Sequence, residues 1–328
     1  MSLKFRGFLG LLLAAVVLST GHADAAKNGP ILFSDYTSIW KIKADGSGLK
    51  RVAKKKAWSL HASPNGKQLL YTHDGLFRMP INGGRSVNLL KRYPIVDRFA
   101  GVRWASWSPN GKQIAFEGGN DGRIYLIKSN GRGLRYLFRK YRTGLLHPVW
   151  SPNGKEIAYI DVHNNSSLMA VNLKSGKKRT IYPGTGEAGT PVSFDWHPSG
   201  KRIAFYAPYR NWMIDSDGSD LRQISPDQAF VSYEDLVFSP DGKSLLGRAY
   251  SGESSTSELW LLDGFYGAAS GGFVNEITGR FGGSPFYPEW APRSRVSRRA
   301  RPRGLPGIRG GTFRRACRGF HRRRSATQ

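Results

Sequence analysis

Residues 106–116 read SWSPNGKQIAF, in which a short strand meets a Pro-Asn-Gly-Lys turn and a second strand follows. Gly111 supplies the positive φ that such a turn requires. The two-residue alternation around the turn favours β-strands over a helix. The stretch therefore predicts a β-hairpin, and its recurrence along the chain decides the fold.

The same phrase occurs five times. The close copies are HASPNGKQLLY from His61 and PVWSPNGKEIAY from Pro148, and the looser copies are FDWHPSGKRIAF from Phe194 and LVFSPDGKSLLG from Leu236. The residue before the proline recurs at spacings of 45, 43, 46 and 42 residues. This period is the length of one propeller blade of four antiparallel strands.

The ends of the repeat region supply a sixth unit. Residues 31–33, 38–42 and 49–52 are predicted as strands two, three and four of a blade without a first strand, and residues 286–292 supply that strand. We therefore expect an all-β fold, a six-bladed β-propeller over residues 26–292 closed by strands from both termini. Such closure removes the exposed sheet edges that invite aggregation.

The motif Trp-Ser-Pro-Asn-Gly-Lys-x-Ile-Ala-Phe, followed by a turn of the Asp-Gly type, resembles the WD-like repeat of the TolB propeller family. The resemblance covers about residues 31–292 and implies a non-catalytic periplasmic or secreted scaffold that binds a protein or peptide. Prolyl oligopeptidase-like enzymes use the same repeat. The first blade strand is expected within a few residues of a predicted signal-peptide cleavage site, which is described below. This spacing is expected to leave no room for the separate N-terminal α/β domain of TolB.

The N-terminus has the pattern of a secretory signal peptide. Lys4 and Arg6 precede an apolar run from residue 8 to residue 18, and Ala23-Asp24-Ala25 is a small-residue cleavage site. We predict that residues 1–25 are removed. No later stretch reaches the roughly 20 apolar residues of a transmembrane helix. The single cysteine, Cys317, excludes a disulfide framework and a thiolate metal cluster.

The net charge of +27 is concentrated toward the C-terminus. Residues 293–328 contain thirteen Arg and no Lys, Asp or Glu, and their Gly, Pro and Ser follow no strand or helix period, which predicts a disordered tail. The favoured interpretation of the tail is out-of-frame translation of GC-rich sequence. The alternative is a polycationic arm for nucleic acid, lipopolysaccharide or an acidic partner, although nucleic acid is an awkward ligand for a secreted protein.

Loops between the second and third strands, and loops that lead from blade to blade, should lie on one face around the channel. We predict that this face binds a protein or peptide ligand. The candidate loops span residues 117–123, 161–167, 206–212 and 251–257. The candidate ligand-binding residues are Glu117, Asp121, His147, Asp161, His163, Tyr209, Arg210, Trp212, Tyr233, Glu234 and Glu253.

No catalytic motif accompanies these loops. The sequence contains no Gly-x-Ser-x-Gly elbow, no His-Glu-x-x-His and no phosphate-binding loop, so no catalytic residue, metal or cofactor is predicted. Residues 215–220 superficially resemble a calcium loop, but their alignment with other units favours a hairpin turn. A hydrolase with an additional α/β domain, or a propeller lyase, remains the enzymatic alternative.

Basic residues cluster near the fourth strands. The clusters are residues 50–51, 54–56, 91–92, 139–142 and 177–179. Because fourth strands are outermost in a blade, they predict a positive outer rim over blades one to four. The rim suits an anionic envelope surface such as lipopolysaccharide. Edge lysines that prevent aggregation are an equal alternative.

Overall fold

A computed structural model provides the structure of the protein. It describes the residues in the following ranges: 28–93, 101–118, 121–138, 140, 143–208, 210–225, 232–250, 257–263, 273–277 and 285–292. These residues form β-strands joined by turns and loops, and none of them lies in a helix. The predicted signal peptide and arginine-rich tail fall outside the described residues.

In the described part of the chain, twenty-four strands form six four-stranded antiparallel sheets. In blades 1 to 3 the strands are β1 (Ile31–Ser34), β2 (Ile39–Ile42), β3 (Lys50–Ala53), β4 (Ser59–Ala62), β5 (Gln68–His73), β6 (Gly75–Pro80), β7 (Val87–Asn88), β8 (Ala105–Trp107), β9 (Gln113–Glu117), β10 (Ile124–Lys128) and β11 (Arg135–Tyr136). In blades 4 to 6 they are β12 (Leu145–Trp150), β13 (Glu156–Asp161), β14 (Ser167–Asn172), β15 (Lys178–Tyr182), β16 (Ser193–Trp196), β17 (Arg202–Ala207), β18 (Arg210–Asp215), β19 (Arg222–Gln223), β20 (Ser232–Phe238), β21 (Ser244–Tyr250), β22 (Ser257–Asp263) and β23 (Phe273–Glu276).

The last strand, β24 (Phe286–Trp290), belongs to the first blade. It pairs with β1, and Trp290 lies opposite Ile31. The inner strands β24, β4, β8, β12, β16 and β20 contact one another in cyclic order, so the sheets form a ring. The fourth strands β3, β7, β11, β15, β19 and β23 are outermost. The six-bladed β-propeller predicted from the repeat is thus the observed architecture.

The repeated turn is held by local hydrogen bonds. In blade 3 the backbone N–H of Lys112 donates to Asn110 Oδ1 at 2.9 Å, and that of Gln113 donates to Ser108 Oγ at 2.9 Å. The turn glycine has a positive φ in every copy. The values, between 64° and 74°, belong to Gly66, Gly111, Gly154, Gly200 and Gly242. These requirements explain three fixed positions of the repeat. The residue before the proline is Ser or His, the residue after it is Asn, Asp or Ser, and the next residue is Gly.

The second strand of each repeat is buried on both faces. Ile114 and Phe116 pack toward blade 2, whereas Ala115 between them packs toward blade 4, and all three are fully buried. Successive side chains of a strand point to opposite faces, and a blade has a neighbour on each face. The apolar Ile-Ala-Phe phrase therefore supplies the core on both sides of its sheet.

Candidate functional site

The channel face comprises the loops between second and third strands and the segments that lead into the first strands. Its described residues include 121–123 and 162–166. The register of β12 shifts between Leu146 and Val149, and His147 in this bulge has a φ of 51°. A bulge turns a side chain away from the regular alternation. It places the His147 ring against Trp104, with ring centroids 4.4 Å apart and planes inclined by 12°.

Glu117 joins this stacked pair from the end of β9. Its carboxylate Oε2 accepts the backbone N–H of His147 at 3.2 Å, and its side chain is buried. Arg103, which precedes Trp104, is exposed and lies close enough to act electrostatically on Glu117. The site thus combines a buried carboxyl group, a partly exposed aromatic stack and an exposed cation.

Burial shifts both titratable groups toward their neutral forms. Desolvation raises the pKa of Glu117 to about 7, against the lowering effects of the His147 N–H and the Arg103 charge. Desolvation likewise lowers the pKa of His147 to about 4. Near neutral pH the imidazole is uncharged, and the Glu117 carboxyl group is close to half-protonated. The stack therefore presents a neutral aromatic surface beside the Arg103 cation.

Two ring nitrogens in the stack are buried and lack a hydrogen-bond partner in the described part of the chain, Nδ1 of His147 and Nε1 of Trp104. Buried polar groups are nearly always paired, so each is an exception that carries a cost. No group of three or more His, Cys, Asp or Glu side chains among the described residues could hold a metal ion. The arrangement offers a ligand stacking area and a positive charge.

The structure brings Glu117 and His147 together, and the other blade 3 and blade 4 candidates lie at the end of β13 or in the loops between second and third strands. Asp121 is partly buried and accepts a hydrogen bond from the Tyr125 hydroxyl; burial, and then this hydrogen bond, raise the pKa of Tyr125. Asp161 is fully buried at the end of β13. His163 is exposed, and its Nε2 lies 3.2 Å from the Thr143 hydroxyl. His163 is thus accessible on the face, whereas Asp161 is not.

In blade 5 the loop is shorter than the predicted span 206–212, because β17 continues to Ala207 and β18 begins at Arg210. Trp212 therefore lies within a strand, buried in the cluster that blades 4 and 5 share, and its side chain is unavailable to a ligand. Arg210 is exposed and donates to Gln223 Oε1 at 2.6 Å.

The side chains of the remaining candidates lie outside the described part of the structure. Tyr209 and Glu253 lie outside the described residues, and Tyr233 and Glu234 are described only as backbone of β20. The segment 215–220 forms the predicted hairpin turn, in which Asp217 Oδ1 accepts the backbone N–H of Ser219 at 3.0 Å.

Sequence reasoning overlooked the polar side chains of the inner strands. In four blades a polar residue stands one position before the aromatic residue of the repeat motif, or before the residue that aligns with that aromatic. Each of these polar side chains contacts the backbone of the next blade. The contacts are Glu289 Oε1 to Ala62 N at 3.0 Å, His61 Nδ1 to Trp107 N at 3.5 Å, Ser106 Oγ to Pro148 O at 2.7 Å and Asp195 Oδ2 to Phe238 N at 2.9 Å. The signal was a polar residue recurring at one position of an otherwise apolar strand.

No helix of the described residues is long and apolar enough to cross a membrane. No protein-family model and no curated protein sequence matches the chain.

Several solved structures are similar to the chain. TolB from Acinetobacter baumannii aligns with a TM-score of 0.64 and 17% identity, over 81% of this chain and 67% of that one. A TolB protein described as putative, from Agrobacterium tumefaciens, aligns with a TM-score of 0.58 and 19% identity, over 76% of this chain and 88% of that one. A chain of a nidogen/laminin complex gives 0.63 and 14%, over 80% and 98%. The likeness establishes a TolB-like propeller fold.

Proposed function

We propose that the protein is a non-catalytic periplasmic or secreted scaffold that binds a protein or peptide segment on its channel face. The observation that carries the proposal is the partly exposed Trp104–His147 stack beside exposed Arg103. Tryptophan and arginine are the side chains most enriched at the energetic centres of protein interfaces. A segment with an apolar side chain for the stack and a carboxylate for Arg103 matches the chemistry of the site.

The fold and the N-terminal sequence support this function. TolB proteins share the propeller, and the propeller from the nidogen/laminin structure belongs to a protein complex by its own description. The signal-peptide pattern of residues 1–25 supports export. Propeller loops on a rigid ring of blades are suited to present binding residues without a mobile catalytic domain.

The proposal is tested by selecting binders from a random peptide library displayed on phage. We expect enriched peptides with an apolar residue near a carboxylate. Arg103→Ala and Trp104→Ala should each weaken their binding about tenfold, as expected for central interface residues. Arg103 is the more informative position because its side chain is exposed, so its removal leaves the packing of the blade intact.

Lys67→Ala is the matched control, since Lys67 is an exposed cation in the turn between β4 and β5 at the opposite end of the blades. It should leave peptide binding unchanged. Failure to enrich any peptide, or equal effects of Arg103→Ala and Lys67→Ala, would refute binding at the channel face. Thermal unfolding of each variant identifies any loss of binding that comes from misfolding.

A further inference from the structure

A cleft of about 940 Å³ separates the outer edges of blades 3 and 4, away from the channel. One wall is β11 and the residues that follow it, and the other is the turn between β14 and β15 with the start of β15. Its volume is in the range of sites that hold a ligand. Neither the repeat pattern nor the channel-face site accounts for it.

The cleft is lined by positive charge from both walls. Arg135 and Lys140 lie on the blade 3 side, and Lys174 and Lys178 lie on the blade 4 side, and all four are exposed. None of the described lining residues is acidic. Four cations in one concavity repel each other, and an anion between them relieves that repulsion. The charge pattern therefore specifies an anionic occupant.

Neighbouring charges are already neutralised and do not belong to the cleft. Arg179, next to Lys178 in β15, donates to both carboxylate oxygens of Glu156, at 3.2 and 2.7 Å. Arg179 therefore belongs to a structural ion pair and is not counted among the charges of the cleft. Arg135 and Lys174, by comparison, face the cleft from opposite walls and are exposed to solvent.

Cations lie over the two aromatic rings that line the cleft. The Lys178 ammonium lies over the Phe138 ring, 4.4 Å from its centroid, and the Arg123 guanidinium lies over Tyr136 at 4.0 Å. A sugar or nucleobase that binds by stacking would have to displace these cations. Leu173, which is partly buried, remains as an apolar surface within the cleft. The lining suits an aliphatic side chain between carboxylates.

We propose that this cleft is a second binding site, which takes an extended acidic peptide segment with an apolar residue. Carboxylates of the segment pair with Arg135 and Lys140 on one wall and with Lys174 and Lys178 on the other. The apolar residue packs on Leu173. A flat anionic bilayer reaches the rims of a concave cleft more readily than its walls, which favours a narrow chain over a membrane.

The test measures fluorescence anisotropy of a labelled synthetic peptide in which glutamates alternate with leucines, added to the full chain at low salt. The double variant Arg135→Glu/Lys174→Glu should weaken binding about tenfold or more, because it reverses a charge on each wall. The matched control is Lys67→Glu/Lys201→Glu, which changes two exposed lysines of blades 2 and 5. It should weaken binding less than about twofold, and added salt should weaken binding to the unmodified chain.

The control carries the same net charge and the same arginine-rich tail as the cleft variant, so any difference between them reports the cleft. Equal weakening in both would overturn the proposal. If the cleft variant does not fold, Arg135→Gln/Lys174→Gln replaces it, with Lys67→Gln/Lys201→Gln as its control. A peptide with serine for leucine should bind more weakly, and an unchanged affinity would refute the apolar contact.

Two further probes separate other anionic ligands. Vesicles containing an anionic phospholipid and a single-stranded oligonucleotide should show little difference between the cleft and control variants. A larger cleft dependence for either probe than for the peptide would overturn the peptide assignment. Arg103→Ala should weaken binding of this peptide less than Arg135→Glu/Lys174→Glu does, because the cleft offers four cations and the channel face one. A larger loss in Arg103→Ala would place the peptide on the channel face and overturn the cleft proposal.

Discussion

The inner strands of blades 1 and 5 carry Glu289 and Asp195 at the repeat position where blades 4 and 6 carry Val149 and Val237. Each carboxylate accepts a backbone N–H from the next blade. Each valine packs against the apolar cluster that its blade shares with the next one. One repeat position thus connects neighbouring blades either by a buried hydrogen bond or by apolar packing.

The two kinds of blade junction differ in how their stability depends on pH. Burial raises the pKa of Asp195 to about 7 and the pKa of Glu289 well above its ordinary value, and the Asp195 charge raises the pKa of Glu289 further. The valines carry no such dependence. The ring is therefore tied by protonatable contacts at some junctions and by pH-independent contacts at others.

The largest effect is expected when a carboxylate replaces a valine. In Val149→Asp the equivalent N–H on the next blade is that of Trp196, which already donates to Asp195 Oδ1 at 2.9 Å. The new carboxylate would be buried without that partner, and the free energy of unfolding should fall by about 4 kcal/mol. Urea unfolding at pH 7 measures the change.

Val149→Ala is the control for lost packing alone and should cost about 1–2 kcal/mol. A loss in Val149→Asp no larger than in Val149→Ala would show that the position accommodates a carboxylate as blades 1 and 5 do.

The second prediction concerns the pH dependence caused by Asp195. Its folded-state pKa is above the unfolded value of 3.8, so the folded protein binds more protons than the unfolded chain between about pH 4 and pH 7. Stability from this group is present at pH 4 and is lost as the pH rises to 7. Asp195→Asn should remove that loss, so it should gain about 2–3 kcal/mol relative to the unmodified protein over this range.

His61 and His147 act in the opposite direction, because burial lowers their pKa values to about 4 and stability from them rises with pH. They are present in both proteins, so comparing Asp195→Asn with the unmodified chain in urea titrations at several pH values reports the Asp195 carboxyl group together with the effect of its charge on Glu289. A stability difference that does not change between pH 4 and pH 7 would contradict the raised pKa.

A smaller effect is expected where a hydroxyl group makes the connection. Ser106 Oγ donates to Pro148 O at 2.7 Å and is buried. Ser106→Ala should lower the free energy of unfolding by about 1 kcal/mol, the usual net value of one hydrogen bond. Ser129→Ala, in a partly exposed turn of the same blade, is the control and should change it by less than about 0.5 kcal/mol. Equal losses in the two variants would show that the Ser106 hydroxyl group does not stabilise the junction between the blades.

The smallest effect should come from an ion pair between the second and fourth strands of blade 4. Glu156 and Arg179 are paired at 2.7 Å, and both side chains are partly exposed. Glu156→Gln should cost about 0.5 kcal/mol at low salt and less at high salt. Thermal unfolding at two salt concentrations measures the difference. A loss above that of Ser106→Ala would mean that this partly exposed ion pair contributes more to stability than the buried Ser106 hydrogen bond.

The sequence predicted the elements of the fold with little displacement. Strands predicted at residues 31–33 and 286–292 are observed at Ile31–Ser34 and Phe286–Trp290, and the hairpin turn predicted within residues 215–220 is observed after β18. Short-range chemistry explains this success, because glycine φ and two-residue alternation act within a few residues. The predicted loop 206–212 was too long, since strand pairing in the blade extended β18 to include Trp212.

The candidate site was only partly predictable. Glu117 was found because it ends a strand at a loop. His147 was predicted on an inter-blade loop, and the structure places it in the bulge of β12; neither that bulge nor the stacking partner Trp104 has a local sequence signature. The cleft between blades 3 and 4 depends on residues separated by about one blade of sequence.

The sequence by itself determined the repeat, the number of blades and the positions of the turns, because each follows from hydrogen bonds and backbone preferences among neighbouring residues. Only the tertiary structure decided which polar groups become buried and which cations share a concavity. Burial and charge pairing depend on the side chains of the next blade, more than forty residues away in the repeat. A local pattern carries no information about those partners, so the shifted pKa of Asp195 and the cationic cleft emerge only when the ring is assembled.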